Sequence, residues 1–164
     1  DLWVSLIDAF HKVMVKFKEE VKGDIKDILA MGICTIRCCR VLLKEDGTLA
    51  YPVTNWMDKR LNTPYKHKEE YGDVRYVTTT SGYIGNRLTG EFKDTCANYI
   101  GWWPMDDDTL DWSTDAEIIT QCNVPRDLLF EVVPPGAILG SVTAEVAGLV
   151  GVWAGVPVVA SAQD

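Results

Sequence analysis

Apolar residues recur every three or four positions along the first 21 residues, with charged residues between them. That spacing places them on one face of an amphipathic helix, because an α-helix completes a turn in about 3.6 residues. The residues of this face are Trp3, Leu6, Ile7, Phe10, Val13, Met14, Phe17 and Val21. We expect Asp1 to cap the helix and Gly23 to end it.

Short apolar runs follow this helix and are typical of strands. Residues 27–36 predict a buried strand, and residues 40–53 predict a hairpin that turns at Asp46 and Gly47. A helix followed by strands in one core favours an α/β fold.

Three later helices carry their own start or stop signals in the sequence. One is expected to end near Leu88, with Gly90 beyond it. Thr114 and Glu117 predict a capping box for the next helix, and Thr143 is the expected N-cap of the last.

Residues 146–163 contain no charged side chain, and their number approaches that of a membrane span. Three glycines and Pro157 interrupt this segment and would break a continuous helix. We therefore predict a short helix, a turn and a buried strand over residues 158–160, and no membrane-spanning segment.

A chain of 164 residues suits a single domain. It has 16 basic and 24 acidic residues, a formal charge of −8 and an isoelectric point near 4.7. This balance leaves no broad basic surface for a nucleic acid backbone or an anionic membrane. We expect neither as a partner, although a local basic pocket stays compatible with an anionic ligand.

The five cysteines form no regular framework and follow no secretory signal, which predicts reduced thiols and a cytoplasmic protein. A zinc site at Cys34, Cys38 and Cys39 would lack a second ligand pair, so we assign no metal. A nucleophilic triad would need a histidine as base. Both histidines lie in charged stretches that predict solvent exposure.

The strongest candidate site in the residues themselves follows the predicted hairpin. Trp56, Asp58 and Arg60 supply an aromatic ring, a carboxylate and a guanidinium within five positions. Loops at strand ends are where small-molecule sites form in α/β folds. A surface ion pair is the alternative. Asp164 follows the last predicted strand. At that position it is either an ordinary turn residue or a general base.

A series of short motifs also occurs in a definite order along the chain. They are the Asp1 to Trp3 helix start, Met31 to Ile33, Asp46 with Gly47, the Trp56, Asp58 and Arg60 element, Arg87 to Glu91 with Asp94, residues 136–147, and the strand leading to Asp164. In this order and spacing they resemble the amino-terminal domain of the FGGY carbohydrate kinases, a group that includes xylulokinase, gluconate kinase and glycerol kinase. The resemblance implies an actin-like, ribonuclease H-like α/β domain that binds a sugar in a cleft between two domains.

The resemblance also implies roles for individual residues. Asp164 matches the general base that takes the proton from the sugar hydroxyl as it attacks the γ-phosphoryl group of ATP. Trp56 matches the ring that packs on the substrate carbon chain. Asp58 and Arg60 match the loop that shapes the pocket.

The segment that follows the first predicted strand departs from the commonest family pattern. Arg37 stands where glycerol kinases have a substrate-binding arginine, whereas Cys38 replaces the acidic residue after it. Arg37 either binds substrate hydroxyls or a carboxylate, or turns to solvent. The segment matches the glycerol kinase pattern only at Arg37 and departs from the commonest family pattern. The sequence therefore does not identify a particular sugar.

Family members also carry an opening Asp-x-Gly-Thr motif and a second, ATP-binding domain, which this sequence does not contain. The resemblance therefore implies that residues 1–164 are an incomplete sugar-binding domain, inactive alone, and that ATP and Mg²⁺ serve the full-length kinase. A sugar- or polyol-binding module without kinase activity is the alternative, and an actin-like scaffold is a weaker one. A homodimer through an exposed sheet edge stays open.

Overall fold

The computed structural model describes residues 2–100 and 103–162. The four α-helices of this part are α1 (Leu2–Lys16), α2 (Thr80–Thr89), α3 (Ala116–Cys122) and α4 (Ala144–Val150). The strands are β1 (Met31–Gly32), β2 (Val41–Leu43), β3 (Tyr76–Thr78), β4 (Lys93–Thr95), β5 (Met105–Asp106), β6 (Asp111–Trp112), β7 (Glu131–Val133), β8 (Ile138–Ser141) and β9 (Pro157–Val159). Helices and strands are interspersed along the chain, so the predicted α/β class is confirmed.

Strand β9 is the centre of a three-stranded sheet, in which it pairs in parallel with β1 and antiparallel with β8. Strands β4 and β7 form a second parallel pair. Strands β2 and β3 pair antiparallel, as do β5 and β6. The parallel pairs matter for function because they bring the loops that follow their strands to one edge of a sheet.

Two hydrophobic clusters hold these elements together. In the first, α1 packs on α4, and α2 packs on β4 and β8. Its buried residues include Trp3, Met14, Val41, Leu43, Leu88, Phe130, Val150 and Val158. The second lies under the middle of the chain and includes Leu42, Tyr65, Val77, Cys96, Tyr99, Met105, Trp112 and Leu129. Because β2 contributes side chains to both clusters, it connects the two halves of the interior.

The predicted first helix is confirmed as far as Lys16. A wider π-turn over Phe17–Val21 follows and ends at Lys22, which has a φ of 59°. Val13, placed on the apolar face by its spacing, is 61% exposed. The predicted cap, Asp1, lies outside the described residues.

The predicted hairpin at Asp46 and Gly47 is confirmed. Lys44 and Thr48 close the turn through a backbone hydrogen bond of 2.9 Å, and Gly47 has a φ of 76°. A Cβ at this glycine would stand 2.2 Å from the Asn86 side chain in α2. The turn therefore needs glycine both for its backbone angle and for its packing.

Two details of the sequence-based elements were wrong. The apolar run over residues 27–36 forms a strand only at β1, and Ile36 is 56% exposed because the chain turns away from the sheet. The N-cap of α3 is Asp115, whose carboxylate accepts hydrogen bonds from the backbone of Glu117 and Ile118.

The end signals at Gly90 and Thr143 were correct, whereas the first helical segment ends at Lys22, one residue before the predicted stop at Gly23. Gly90 ends α2 in the left-handed conformation, and Thr143 caps α4 by accepting a hydrogen bond from Val146 N. No helix among the described residues is long and apolar enough to span a membrane.

Candidate functional site

A cavity of about 170 Å³ opens beside the start of β2. The residues that line it are Cys38, Cys39, Arg40, Trp56, Leu61, Asn62 and Trp103. They come from the segment between β1 and β2, from the turn after the hairpin and from the loop before β5. The cavity thus combines aromatic, apolar and polar groups with one guanidinium, a composition typical of a small-molecule site.

The segment between β1 and β2 turns sharply just before this cavity. Cys38 has a φ of 58°, in the left-handed region that non-glycine residues rarely adopt. Cys39 is buried and its thiol lies 3.8 Å from the carbonyl oxygen of Arg37. The turn directs both cysteines to the cavity wall, whereas Arg37 is exposed and does not line it. The substrate-binding role of Arg37 stays a prediction.

Trp56 lies in the turn that follows the hairpin, and its contact with a substrate stays a prediction. Its side chain is 52% exposed, yet it lines the same cavity as Cys38. A large ring that is half open to solvent offers a flat apolar face to a ligand. The structure therefore brings together two of the residues that the sequence singled out, from segments far apart in the chain.

Asp58 and Arg60 form a local ion pair in the turn that follows Trp56. Asp58 caps the short 3₁₀ helix Lys59–Asn62, and its carboxylate accepts hydrogen bonds from Arg60 N and Nε, both at 2.9 Å. The Arg60 guanidinium lowers the pKa of Asp58 to about 2. Arg60 also donates to the Tyr51 hydroxyl at 3.4 Å. The pair holds the shape of the loop, and neither residue lines the first cavity.

A second cavity, of about 110 Å³, adjoins the first. Arg40 and Leu61 line both of them. The second also has Arg60, Lys66 and Lys68 on its walls. Arg40 is thus the cation that lies between the aromatic cavity and this basic one.

The loops after β1 and β9 are joined where the two parallel strands end. The backbone N–H of Ile33 donates a hydrogen bond of 3.0 Å to the hydroxyl of Ser161. Ile33 precedes the segment with Cys38 and Cys39, and Ser161 precedes Asp164 by three positions. Asp164 itself lies outside the described residues.

A buried carboxylate elsewhere in the fold plays no part in this cavity. Asp94 is 1% exposed and accepts hydrogen bonds from the hydroxyls of Thr79 and Ser81, each at 2.8 Å. Asn98 Nδ2 and Thr95 N donate to it as well, at 2.9 and 2.8 Å. Burial raises the pKa of Asp94, and these hydrogen bonds oppose that rise. The carboxylate is enclosed by donors and ties β4 to the start of α2.

Sequence reasoning did not assign five residues of the cavity wall to the site, namely Cys39, Arg40, Leu61, Asn62 and Trp103. The signal for Arg40 was available in the hairpin pattern. Arg40 and Thr54 exchange backbone hydrogen bonds of 3.1 and 2.9 Å across the hairpin, so a register assignment places Arg40 close to Trp56. Trp103 belongs to a tryptophan-rich stretch that suits either core packing or stacking on sugar rings, and tertiary packing brings its loop to the cavity.

Comparisons with known proteins cover the whole chain. The chain is 47% identical over 164 residues to the uncharacterized sugar kinase YgcE of Escherichia coli (strain K12), and it spans 32% of that protein's length. A xylulose kinase from Rhodospirillum rubrum matches 98% of the chain with a TM-score of 0.73 at 20% identity, over 40% of that structure. A gluconate kinase from Lactobacillus acidophilus matches 96% with a TM-score of 0.78 at 16% identity, over 38% of that structure.

These two structures show the fold that the chain shares. The family model for the amino-terminal domain of the FGGY family of carbohydrate kinases matches residues 65–164, more than half of the sequence. The chain therefore belongs to the FGGY family of carbohydrate kinases.

Proposed function

We propose that the protein containing this chain transfers the γ-phosphoryl group of ATP to a hydroxyl of a sugar, ketose or polyol. The observation that carries the proposal is the cavity that Trp56 and Cys38 both line. The segment that contains Cys38 is joined, through the hydrogen bond between Ile33 and Ser161, to the segment that leads to Asp164. An aromatic face suits the carbon chain of a sugar. Related proteins are named for sugar, xylulose and gluconate kinase activity.

Asp164 is the general base in this proposal. It accepts the proton of the sugar hydroxyl as that oxygen forms its bond to the γ-phosphorus and the bond from phosphorus to the β,γ-bridging oxygen breaks. Phosphoryl transfer depends on in-line positioning and on a well-placed carboxylate more than on covalent chemistry. The topology supports the assignment because the segments after β1 and β9 leave the same edge of the sheet.

Trp56 packs on the carbon chain, and the ion pair of Asp58 with Arg60 keeps the loop of Trp56 in shape. Arg37 and Cys38 are the proposed contacts of the β1 loop with substrate. In the described ranges 2–100 and 103–162, no group of three or more His, Cys, Asp or Glu residues is placed to hold a metal ion. In the full-length protein, Mg²⁺ would neutralise the phosphates of ATP.

Cys38 also supports a second candidate, a sugar-binding module without catalysis. The side chain of Cys38 lines the cavity at the position where the glycerol kinase pattern has an acid. In this second candidate the protein binds a sugar or polyol without phosphoryl transfer. The test of the proposed function separates the two candidates.

The test is a panel of pentuloses, hexuloses, polyols and sugar acids, assayed with the full-length protein and ATP by coupled detection of ADP. Asp164→Asn is expected to lower kcat by at least about a hundredfold and to change sugar affinity much less. Trp56→Ala is expected to raise KM. Asp107→Asn, which changes an exposed acid away from the cavity, is the matched control.

Near-normal turnover of Asp164→Asn would remove Asp164 from the mechanism. An unchanged KM for Trp56→Ala would mean that the ring only packs. Binding of a panel member without any ADP formation would favour the binding module over the kinase.

A further inference from the structure

Arg40 is fixed at the boundary of the two cavities by its backbone. Its N–H and carbonyl groups both pair with Thr54 across the hairpin. Its side chain is partly buried and lies over the ring of Tyr65, with Cζ 5.8 Å from the ring centroid. The guanidinium therefore has a set position and an open side toward the cavities.

No carboxylate forms an ion pair with Arg40 in the described part of the chain. The titratable groups that act on it are Tyr65, Tyr71 and Cys122. Burial raises the pKa of Tyr65 and of Cys122, so both remain neutral at pH 7. Arg60 differs, since Asp58 neutralises it.

Partial burial without a counter-ion is costly for a guanidinium, and it lowers the pKa of Arg40. The planar fork of an arginine pairs with a carboxylate through two parallel hydrogen bonds. An anion in the cavity would supply the acceptors that the described residues do not.

The other walls of the first cavity indicate what such an anion carries. Trp56, Leu61 and Trp103 offer apolar surface, and Asn62 offers an amide. Among the described residues lining this cavity, Arg40 is the one with a formal charge. Within the first cavity, this single positive charge matches a carboxylate better than a phosphate dianion, whereas Lys66 and Lys68 lie on the walls of the second cavity.

We propose that Arg40 binds the carboxylate of a sugar acid whose hydroxylated carbon chain lies against Trp56. This proposal rests on the proposed function for the identity of the site. It adds the substrate class, an acidic sugar, and the residue that selects it.

The test measures binding to the full-length protein by calorimetry without ATP, so that it does not depend on catalysis. The probes are aldonates, each paired with the alditol of the same configuration: gluconate with glucitol, galactonate with galactitol, mannonate with mannitol and xylonate with xylitol. The two members of a pair differ only at C1. At least one aldonate is expected to bind roughly tenfold to a hundredfold more tightly than its alditol.

Arg40→Met should remove that preference, and Arg40→Lys should keep part of it. The matched control is Arg126→Met, because Arg126 also lies 5.8 Å from an aromatic ring, that of Trp112, but lines neither cavity. It should bind like the unchanged protein. A melting temperature of Arg40→Met close to the unchanged value verifies that the variant is folded.

Three results would overturn the proposal: no aldonate preferred over its alditol, a preference that survives Arg40→Met, or stronger Arg40-dependent binding of glucose 6-phosphate. Phosphorylation of neutral sugars with no aldonate binding leaves the proposed function standing and the Arg40 proposal refuted. Arg40-dependent aldonate binding without phosphoryl transfer leaves the Arg40 proposal standing and refutes the proposed function.

Discussion

Asp94 and Arg40 are both withdrawn from solvent, and neither has an oppositely charged partner among the described residues. Asp94 is enclosed by hydrogen-bond donors from Thr79, Ser81 and Asn98. Arg40 instead has an aromatic ring beneath it and open cavities beside it. The Asp94 carboxyl is held by donors of the fold, although burial raises its pKa. The Arg40 guanidinium is open to a partner outside the fold.

The difference shows how to separate a structural charge from a functional one. The hydrogen bonds that a buried carboxylate accepts offset part of its desolvation cost, and removing the carboxylate leaves those donors without an acceptor. The Arg40 guanidinium has no ion-pair partner among the described residues, so the contact with the Tyr65 ring offsets little of its burial cost and its contribution to stability is small. Mutations at the two positions are therefore expected to act on different properties.

The largest effect is expected from Asp94→Ala. Loss of the carboxylate leaves the hydroxyl, amide and backbone donors around it unpaired, at a cost of about 3 kcal/mol in the free energy of unfolding. Urea unfolding of the full-length protein, followed by tryptophan fluorescence, measures it. Asp107→Ala serves as the exposed control, and an Asp94→Ala midpoint equal to that control would show that the network is not stabilising.

A smaller effect is expected from pH. Because burial raises the pKa of Asp94, the folded protein holds this proton more tightly than the unfolded chain does. The contribution of Asp94 to the free energy of unfolding is therefore greatest below the ordinary aspartate pKa of about 4. It declines as the pH rises through the raised pKa of the folded protein. Asp94→Asn should lack this decline in unfolding measurements as a function of pH.

Asp58 should change the free energy of unfolding with pH in the opposite direction to Asp94. Its pKa is lowered to about 2, so its contribution is present above the ordinary aspartate pKa and is lost as the pH falls toward 2. Asp58→Asn should remove this acid-side loss only. Identical pH profiles for the Asp94→Asn and Asp58→Asn variants would contradict the comparison.

The smallest effect on stability is expected from Arg40→Met. The lost contact with Tyr65 and the relieved burial of a charge oppose each other, which leaves the free energy of unfolding within about 1 kcal/mol of the unchanged protein. The same urea titration measures it. A loss as large as that for Asp94→Ala would make Arg40 a structural residue and would end the contrast.

Local signals in the sequence predicted much of the fold. Gly90, Thr143 and the turn at Gly47 were identified correctly because a cap or a tight turn is determined by residues within a few positions. Strand length after β1 was not, since Ile36 is apolar yet exposed and only tertiary packing decides that.

The candidate site shows the same division. Trp56 was identified from its neighbours in sequence and lines the cavity together with Cys38. Arg40 was not identified, because its importance depends on which groups are absent around it. The network at Asp94 was also missed, since it gathers donors that lie up to 15 positions away in the chain.

The backbone pairing of Arg40 with Thr54 fixes where the hairpin places its side chains along the cavity. Trp56 follows Thr54 by two positions, so the spacing between the ring and the guanidinium is set by strand register and by the length of the turn between Lys44 and Thr48. Lengthening that turn by one residue would shift every cross-strand pair beyond it. A one-residue change in that turn would therefore alter the spacing between the ring and the guanidinium without altering either side chain.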